Sequence, residues 1–163
     1  GGHSEVMTEH TIQRALFYGR ASSSRIIVPN YKPRGWWECD LWQVSKALRS
    51  HEYEIKLTVS DFKADALKQR KHNFGRTPTT KHEILASNPK RGPNRFSFAM
   101  PPELAEKVEI PEWAGLITVE GFAINIIKRA PVRHKRVVTE PELNKAFVAT
   151  YYRYWNDKND RNN

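Results

Sequence analysis

The stretch HEYEIKLTVSDFKAD, residues 51–65, decides the fold, because within it a strand pattern changes to a helix pattern. In its first half Glu52, Glu54 and Lys56 alternate with apolar residues, as on a strand that has one polar face. Ser60 then stands where a helix N-cap is favoured. EYEIKLTV is therefore predicted to be a strand that leads directly into a helix.

The rest of the chain supplies more strands and helices around this stretch. A first helix is predicted between Thr8, a capping residue, and Gly19, and two strands follow at Arg25–Val28 and Trp37–Val44. Downstream, RFSFAMP predicts another strand, and AGLITVE and FAINIIKRA predict a hairpin that turns at Gly121. This order predicts an α/β or α+β domain whose mixed central sheet is flanked by helices.

Two segments of the second half have other patterns. Residues 70–95 are polar and rich in turn residues, which predicts a mobile loop with one helical turn around Lys81–Ala86. Thr139 and Glu142 form a capping box, which predicts the start of a last helix. The apolar stripe predicted for this helix consists of Leu143, Phe147 and Tyr151.

Both ends of the chain are expected to lie outside the folded domain. GGHS at the start is typical of an expression-vector remnant, so residues 1–6 are assigned to it. The single domain is predicted to span residues 7–156, and residues 157–163 to form a frayed polar tail.

The composition indicates a globular protein whose basic charge fits either an anionic partner or plain solubility. The formal net charge is +9 at pH 7, which favours a polyanion such as DNA. The lone cysteine, Cys39, excludes an internal disulfide and a cysteine-rich zinc site, and it fits a cytoplasmic setting. No apolar run has the length of a transmembrane helix, so no membrane partner is expected.

Asp40, on the preceding strand, places another carboxylate beside the predicted polar face. It lies in the middle of the strand WWECDLWQVS, and a hairpin between this strand and the next would bring Asp40 close to Glu54. Two carboxylates so placed repel each other unless a cation lies between them. Oxygen ligands on a rigid sheet suit Mg²⁺ or Mn²⁺, and the backbone carbonyl of Ile55 would add a ligand. Lys56 would then orient the attacking water or stabilise charge on phosphorus.

An ordinary solvated face is the alternative interpretation of these charges. A Glu-x-Lys pair on a strand commonly forms a lateral salt bridge, and Glu52, at the entry of the strand, is interpreted as solvated charge of this kind. Trp36, Trp37 and Trp42, near Asp40, fit either core packing or stacking on unpaired bases.

The series CDLWQVS followed by YEIK resembles the signature of the PD-(D/E)xK nuclease superfamily. YEIKLTVSDFKAD, NRFSFAMPPEL and AGLITVE with INIIKRAP are most similar to the MmcB-like DNA repair and nuclease family and its phage-encoded relatives. The resemblance runs from roughly Trp37 to Pro131. It implies a restriction-endonuclease-like core and a metal-dependent nuclease of DNA repair, recombination or phage DNA metabolism, acting in the bacterial or phage-infected cytoplasm.

The resemblance also implies a role for each matching residue. Asp40 and Glu54 would be the catalytic metal ligands, and Lys56 would be the catalytic lysine. Glu9 would match an acidic residue of the first helix that adds to the metal site. Cys39 stands where the motif of the family has proline, which is a departure.

Basic residues outside the motif are expected to contact the DNA backbone. One lies on the helix after the motif, two lie in the helical turn predicted within the polar loop, and three belong to the segment KRGPNR of that loop. In order, these residues are Lys63, Lys81, His82, Lys90, Arg91 and Arg95. Two other functions remain open: a non-catalytic DNA-binding protein, and a protein-interaction subunit or homodimer that uses the aromatic last helix.

Overall fold

Six strands form one sheet whose spatial order is the order of the chain, β1-β2-β3-β4-β5-β6. The computed structural model describes residues 6–65 and 79–162. The strands are β1 Ser24–Tyr31, β2 Cys39–Ser45, β3 Ser50–Ile55, β4 Arg95–Met100, β5 Gly115–Glu120 and β6 Ala123–Lys128. The helices are α1 Glu9–Arg20, α2 Val59–Asp65, α3 Lys81–Ser87, α4 Pro102–Ala105 and α5 Glu140–Asn162, and a 3₁₀ turn, Ala21–Ser23, follows α1.

The sheet is mixed, as the sequence predicts. Strands β1 to β3 form an antiparallel meander, β3 to β5 are parallel to one another, and β6 is antiparallel to β5. Parallel neighbours need a crossover connection. Helices α2 and α3 lie in the connection between β3 and β4, so the residues that follow the Glu-x-Lys motif are brought back beside it.

Apolar side chains bury both faces of the sheet. One face packs around Phe96, Phe98 and Leu143, with α3, α4 and the start of α5 over it. The other face packs on Ile12 and Leu16 of α1. Because both faces are covered, β3 and β4 are buried almost throughout, and any charged group on them needs a partner inside the protein.

The register of β2 and β3 decides where the carboxylates lie. Leu41 pairs with Tyr53, so Asp40 and Glu54 occupy opposed positions at the end of the hairpin. The Oδ2 atom of Asp40 accepts a hydrogen bond of 2.8 Å from the backbone N–H of Ile55. The predicted pairing of these two strands is confirmed.

The bounds of several elements differ from the predictions, β1 and β2 by up to three residues at an end. Strand β3 ends at Ile55, because Thr58 caps α2: its hydroxyl accepts from the backbone N–H of Asp61 at 3.1 Å, and Ser60 is not the cap. Helix α1 continues through Gly19 to Arg20. The predicted single turn near residue 81 is a seven-residue helix, α3, while the predicted loop at residues 70–78 lies outside the described residues.

The capping box of the last helix is confirmed, but its stripe is not. The Thr139 hydroxyl accepts from the backbone N–H of Glu142, whose carboxylate accepts from the backbone N–H of Thr139. Leu143 is buried, whereas Phe147 and Tyr151 are 45% and 59% exposed, because the helix turns the side of Leu143, Ala146 and Ala149 to the core instead. Helix α5 also continues to residue 162, where a frayed tail was expected. No helix in the described ranges is long and apolar enough to cross a membrane.

Candidate active site

Asp40 and Glu54 line an open cleft of about 390 Å³ at the end of the β2–β3 hairpin. Asp40 is held by the Ile55 N–H, and its own carbonyl accepts a hydrogen bond of 2.7 Å from the Gln13 side chain of α1. Glu9, in the first turn of α1, lines the same cleft. The three carboxylates that the sequence assigns to a metal site thus line one cleft.

Burial raises the pKa of both strand carboxyls, and it is the largest cause of each shift. Burial, together with the nearby charges of Asp40 and Asp65, raises the pKa of Glu54 to about 7, although Lys81 and Lys56 oppose the shift. Burial raises the pKa of Asp40 as well, and Glu9 adds to that effect. Groups so placed gain from any cation that enters between them.

Lys56 lies directly after β3 and is held in place from two sides. Its backbone N–H donates to the carbonyl of Ala99 at 3.0 Å, and its Nζ lies 3.1 Å from Oδ1 of Asp65. The other oxygen of Asp65 lies 2.9 Å from Nε2 of His82. Burial opposes the charge of Asp65, but His82 and Lys56 outweigh it and lower the pKa of that carboxyl well below its usual range.

Glu52 is fully buried, which contradicts its interpretation as solvated charge. Its Oε1 atom accepts a hydrogen bond of 2.8 Å from Nε1 of Trp36, and its Oε2 atom accepts from Nζ of Lys81. Lys81 also lies 3.3 Å from Oε1 of Glu54. Burial disfavours the charge of Lys81, yet the two glutamates outweigh it and raise its pKa. Because Lys81 is 4% exposed, it cannot serve as the backbone contact that the sequence predicts.

A divalent cation fits the donor set of the cleft. Within residues 6–65 and 79–162, no group of three or more His, Cys, Asp or Glu residues lies close enough together to hold a metal ion. Mg²⁺ and Mn²⁺ do not need one, since they are commonly bound by one or two carboxylates and several waters. Asp40 and Glu54 would supply the carboxylates, and Ile55 borders the same cleft.

The other predicted nucleic-acid contacts do not form one surface. Lys63 and Lys90 are exposed, and Arg91 is half-buried. His82 points inward to Asp65, so its position differs from that of a surface contact. The Nη1 atom of Arg95 donates to the carbonyl of Ala130, which turns this guanidinium toward the sheet edge.

Sequence reasoning missed the structural partners of the motif residues. Asp65 pairs with Lys56, and no signal in the sequence points to this contact. For Lys81 there was a usable signal, because Thr80 and Glu83 form a capping box that fixes the start of α3. A helix that starts there aims its first residue at the sheet.

Comparison with known proteins shows the fold alone. A solved structure of a protein of unknown function from Silicibacter pomeroyi matches with a TM-score of 0.66 over 97% of this chain and 95% of that chain, at 17% identity. No family model matches this chain, and no curated protein matches it either. The likeness supports an α+β fold with a six-stranded mixed sheet flanked by helices.

Proposed function

We propose that the protein is a nuclease that hydrolyses phosphodiester bonds in DNA with Mg²⁺ or Mn²⁺. The observation that carries the proposal is the pair of opposed carboxylates, Asp40 and Glu54, in an open cleft beside a fixed lysine, Lys56. The resemblance to PD-(D/E)xK nucleases implies the same three residues on neighbouring strands. The net charge of +9 suits a polyanionic substrate.

Each residue of the site has a role that follows from its position. Asp40 and Glu54 would hold the metal ion, which would supply a water of lowered pKa and neutralise phosphate charge. Lys56 offers its ammonium to the attacking water or to the charge that builds on phosphorus. Asp65 fixes the position of that ammonium, and His82 in turn fixes Asp65.

Metal-dependent cleavage tests the proposal directly. Labelled single-stranded, duplex and branched DNA would be incubated with Mg²⁺, Mn²⁺ or EDTA. We expect cleavage only with metal, and at least a ~100-fold loss of rate in Lys56→Ala with DNA affinity retained. Lys107→Ala is the matched control, because Lys107 is exposed and does not border the cleft. If no form of DNA is cut with either metal, the proposal fails.

A non-catalytic DNA-binding protein is the second candidate. The position of Lys81 favours it, because its ammonium lies 3.3 Å from Glu54 and already supplies a positive charge to the site. If the protein only binds DNA, it cleaves none, and neither EDTA nor Lys56→Ala changes its DNA affinity. Salt-dependent DNA binding without cleavage under all metal conditions would select this function.

A further inference from the structure

Helix α5 carries most of its large apolar side chains on the outside of the protein. Leu143, Ala146 and Ala149 pack on the core, which fixes the side of the helix that faces the sheet. The large apolar residues on the remaining surface are all 42–60% exposed, and we call them the outer face of α5. They are Phe147, Val148, Tyr151, Tyr152, Tyr154 and Trp155. A surface helix normally shows the reverse pattern, with its apolar stripe toward the core.

The exposed rings of the outer face touch one another and form one surface. The ring centroids of Tyr151 and Tyr152 are 5.4 Å apart, those of Tyr151 and Trp155 6.4 Å, and those of Tyr154 and Trp155 5.4 Å. Each aromatic side chain of this face is about half exposed, and a fully buried one covers roughly 150–250 Å². The face therefore exposes about 500 Å² of aromatic surface, which is near the upper end for a monomeric protein.

The outer face carries no charge. Within residues 147–155 only Arg153 is charged, and its guanidinium donates to the backbone carbonyls of Pro29 and Asn30 in β1. The face thus offers no cation to a phosphate, although the chain as a whole carries a net charge of +9. An apolar surface fits it better than a nucleic acid backbone does.

The residues of the outer face are arranged symmetrically about Tyr151. Phe147 and Trp155 lie four residues before and after it, and Val148 and Tyr154 lie three residues before and after it. Two such helices can pack antiparallel about a two-fold axis at Tyr151. Each apolar residue then lies level with an apolar residue of the other copy, as a contact between identical surfaces requires.

The charges beyond the outer face favour the antiparallel arrangement. Lys145 precedes Tyr151 by six residues, and Asp157 follows it by six. In an antiparallel pair, Lys145 of one copy lies at the same end of the contact as Asp157 of the other. A parallel pair would instead bring two lysines together at one end and two aspartates at the other.

We propose that the outer face of α5 is a homodimer interface, in which two copies of the helix pack antiparallel with Tyr151 on the two-fold axis. The two faces together supply about 1,000 Å² of aromatic surface, which is roughly the area that a specific interface needs. A second copy offers the same apolar residues in matching order and brings no unpaired charge into the contact. The dimer goes beyond the proposed nuclease activity and does not depend on it.

Sedimentation of the full chain tests for the dimer. The wild type should become dimeric between ~1 and ~100 µM, and Tyr151→Glu, which places two carboxylates at the axis, should weaken dimerisation at least about 100-fold. Tyr18→Glu is the matched control, because Tyr18 is 66% exposed on α1, which covers the other face of the sheet, and it should dimerise like the wild type. Circular dichroism should show both variants folded, since glutamate forms helix at least as well as tyrosine.

Disulfide cross-linking tests the antiparallel geometry. The lone native cysteine, Cys39, is buried, so thiols introduced at the surface can be followed against it. Tyr151→Cys should form a disulfide-linked dimer on mild oxidation. Phe147→Cys alone should not, because its two copies would lie about 12 Å apart along the helices, beyond the reach of a disulfide. A mixture of Phe147→Cys and Trp155→Cys should cross-link, whereas Tyr18→Cys should not.

Several results would overturn the dimer. These are a wild type that stays monomeric up to ~100 µM, equal dimerisation of Tyr151→Glu and Tyr18→Glu, and self-linking of Phe147→Cys as fast as that of Tyr151→Cys. A monomeric wild type that floats with vesicles of phosphatidylcholine and phosphatidylglycerol, and loses this binding in Tyr151→Glu, would also overturn it and assign the face to a lipid surface.

Discussion

Replacement of Lys81 by methionine removes the cation that joins two buried glutamates. Methionine retains most of the hydrocarbon volume, so the change acts mainly on charge. Glu52 is 0% exposed and Glu54 is 5% exposed, so neither carboxylate can turn to water without moving the sheet. Removing one partner of a buried ion pair typically costs about 3–5 kcal/mol, and we expect Lys81→Met to lower the free energy of unfolding by this amount at neutral pH.

The cost should depend on pH with a definite sign. Burial already raises the pKa of Glu52, and the loss of Lys81, which opposes the shift, raises it further. A carboxyl group whose pKa is higher in the folded than in the unfolded state does not lower the free energy of unfolding below the unfolded pKa. It lowers that free energy progressively as pH rises above this value. The penalty of Lys81→Met should therefore be small near pH ~4.5 and grow toward pH ~8. Adding Glu52→Gln should recover part of it, because an amide oxygen still accepts from Trp36.

Urea unfolding followed by tryptophan fluorescence measures these differences. Lys90→Met is the control, because Lys90 is exposed on the same connection and should change stability by about 0.5 kcal/mol or less. A loss of less than about 1 kcal/mol at neutral pH, or a penalty that shrinks as pH rises, would refute the reasoning.

Two further predictions concern stability away from the cleft. Burial, with Arg20 and Arg95 nearby, lowers the pKa of His51 to about 3, so this neutral imidazole stabilises the fold above its unfolded pKa of ~6.5 and the gain is lost as pH falls. Between pH ~7 and pH ~5 the wild type should lose about 2 kcal/mol more than His51→Gln, measured by urea unfolding, and an equal loss in both would contradict this. Gly92→Ala places a methyl group 2.6 Å from the Trp36 ring at φ +81°, whereas Gly35→Ala at φ +71° meets nothing within 4 Å. Thermal unfolding should therefore show a loss of about 2–4 kcal/mol for the first and about 1 kcal/mol for the second, and equal losses would rule out the steric contact.

The fold was predictable where periodicity is strong. Alternation along EYEIKLTV and the turn at Gly121, which has φ +60°, predict strands whose pairing the structure confirms. The exact end of β3 was not predictable, since Leu57 and Val59 continue the alternation while the Thr58 hydroxyl starts a helix. The hydrogen bond between the Thr58 hydroxyl and the Asp61 N–H therefore ends the strand, although the alternating pattern continues.

The site was predictable only in part. Asp40, Glu54 and Lys56 follow from local pattern and from resemblance, because they lie on two consecutive strands. Lys81 reaches Glu52 across 29 positions of sequence, and no local pattern encodes a contact of that kind. Glu52 looked solvated for the same reason: its partner comes from a helix that the crossover between β3 and β4 brings back.

Two of the buried carboxylates have a lysine as a close partner. The Glu52 carboxylate accepts from Lys81, and Asp65 lies 3.1 Å from Lys56. Each lysine therefore has its closest contact with a carboxylate other than Asp40 or Glu54. Lys81 contacts Glu54 only at 3.3 Å, which makes this the longer of its two bonds to glutamate.

The wall of the cleft carries a surplus of negative charge. Within the described ranges its acidic groups outnumber its two lysines, and Asp40 and Glu54 stand opposed on neighbouring strands among them. Burial is the main cause of the raised pKa of each carboxyl, and nearby carboxylates add to it, namely Glu9 for Asp40, and Asp40 and Asp65 for Glu54. A divalent ion can replace the proton at this position, where the cleft is open to solvent and to a phosphate. Glu52 and Asp65 each have a lysine as a close partner. On the proposed function a metal would therefore bind at Asp40 and Glu54.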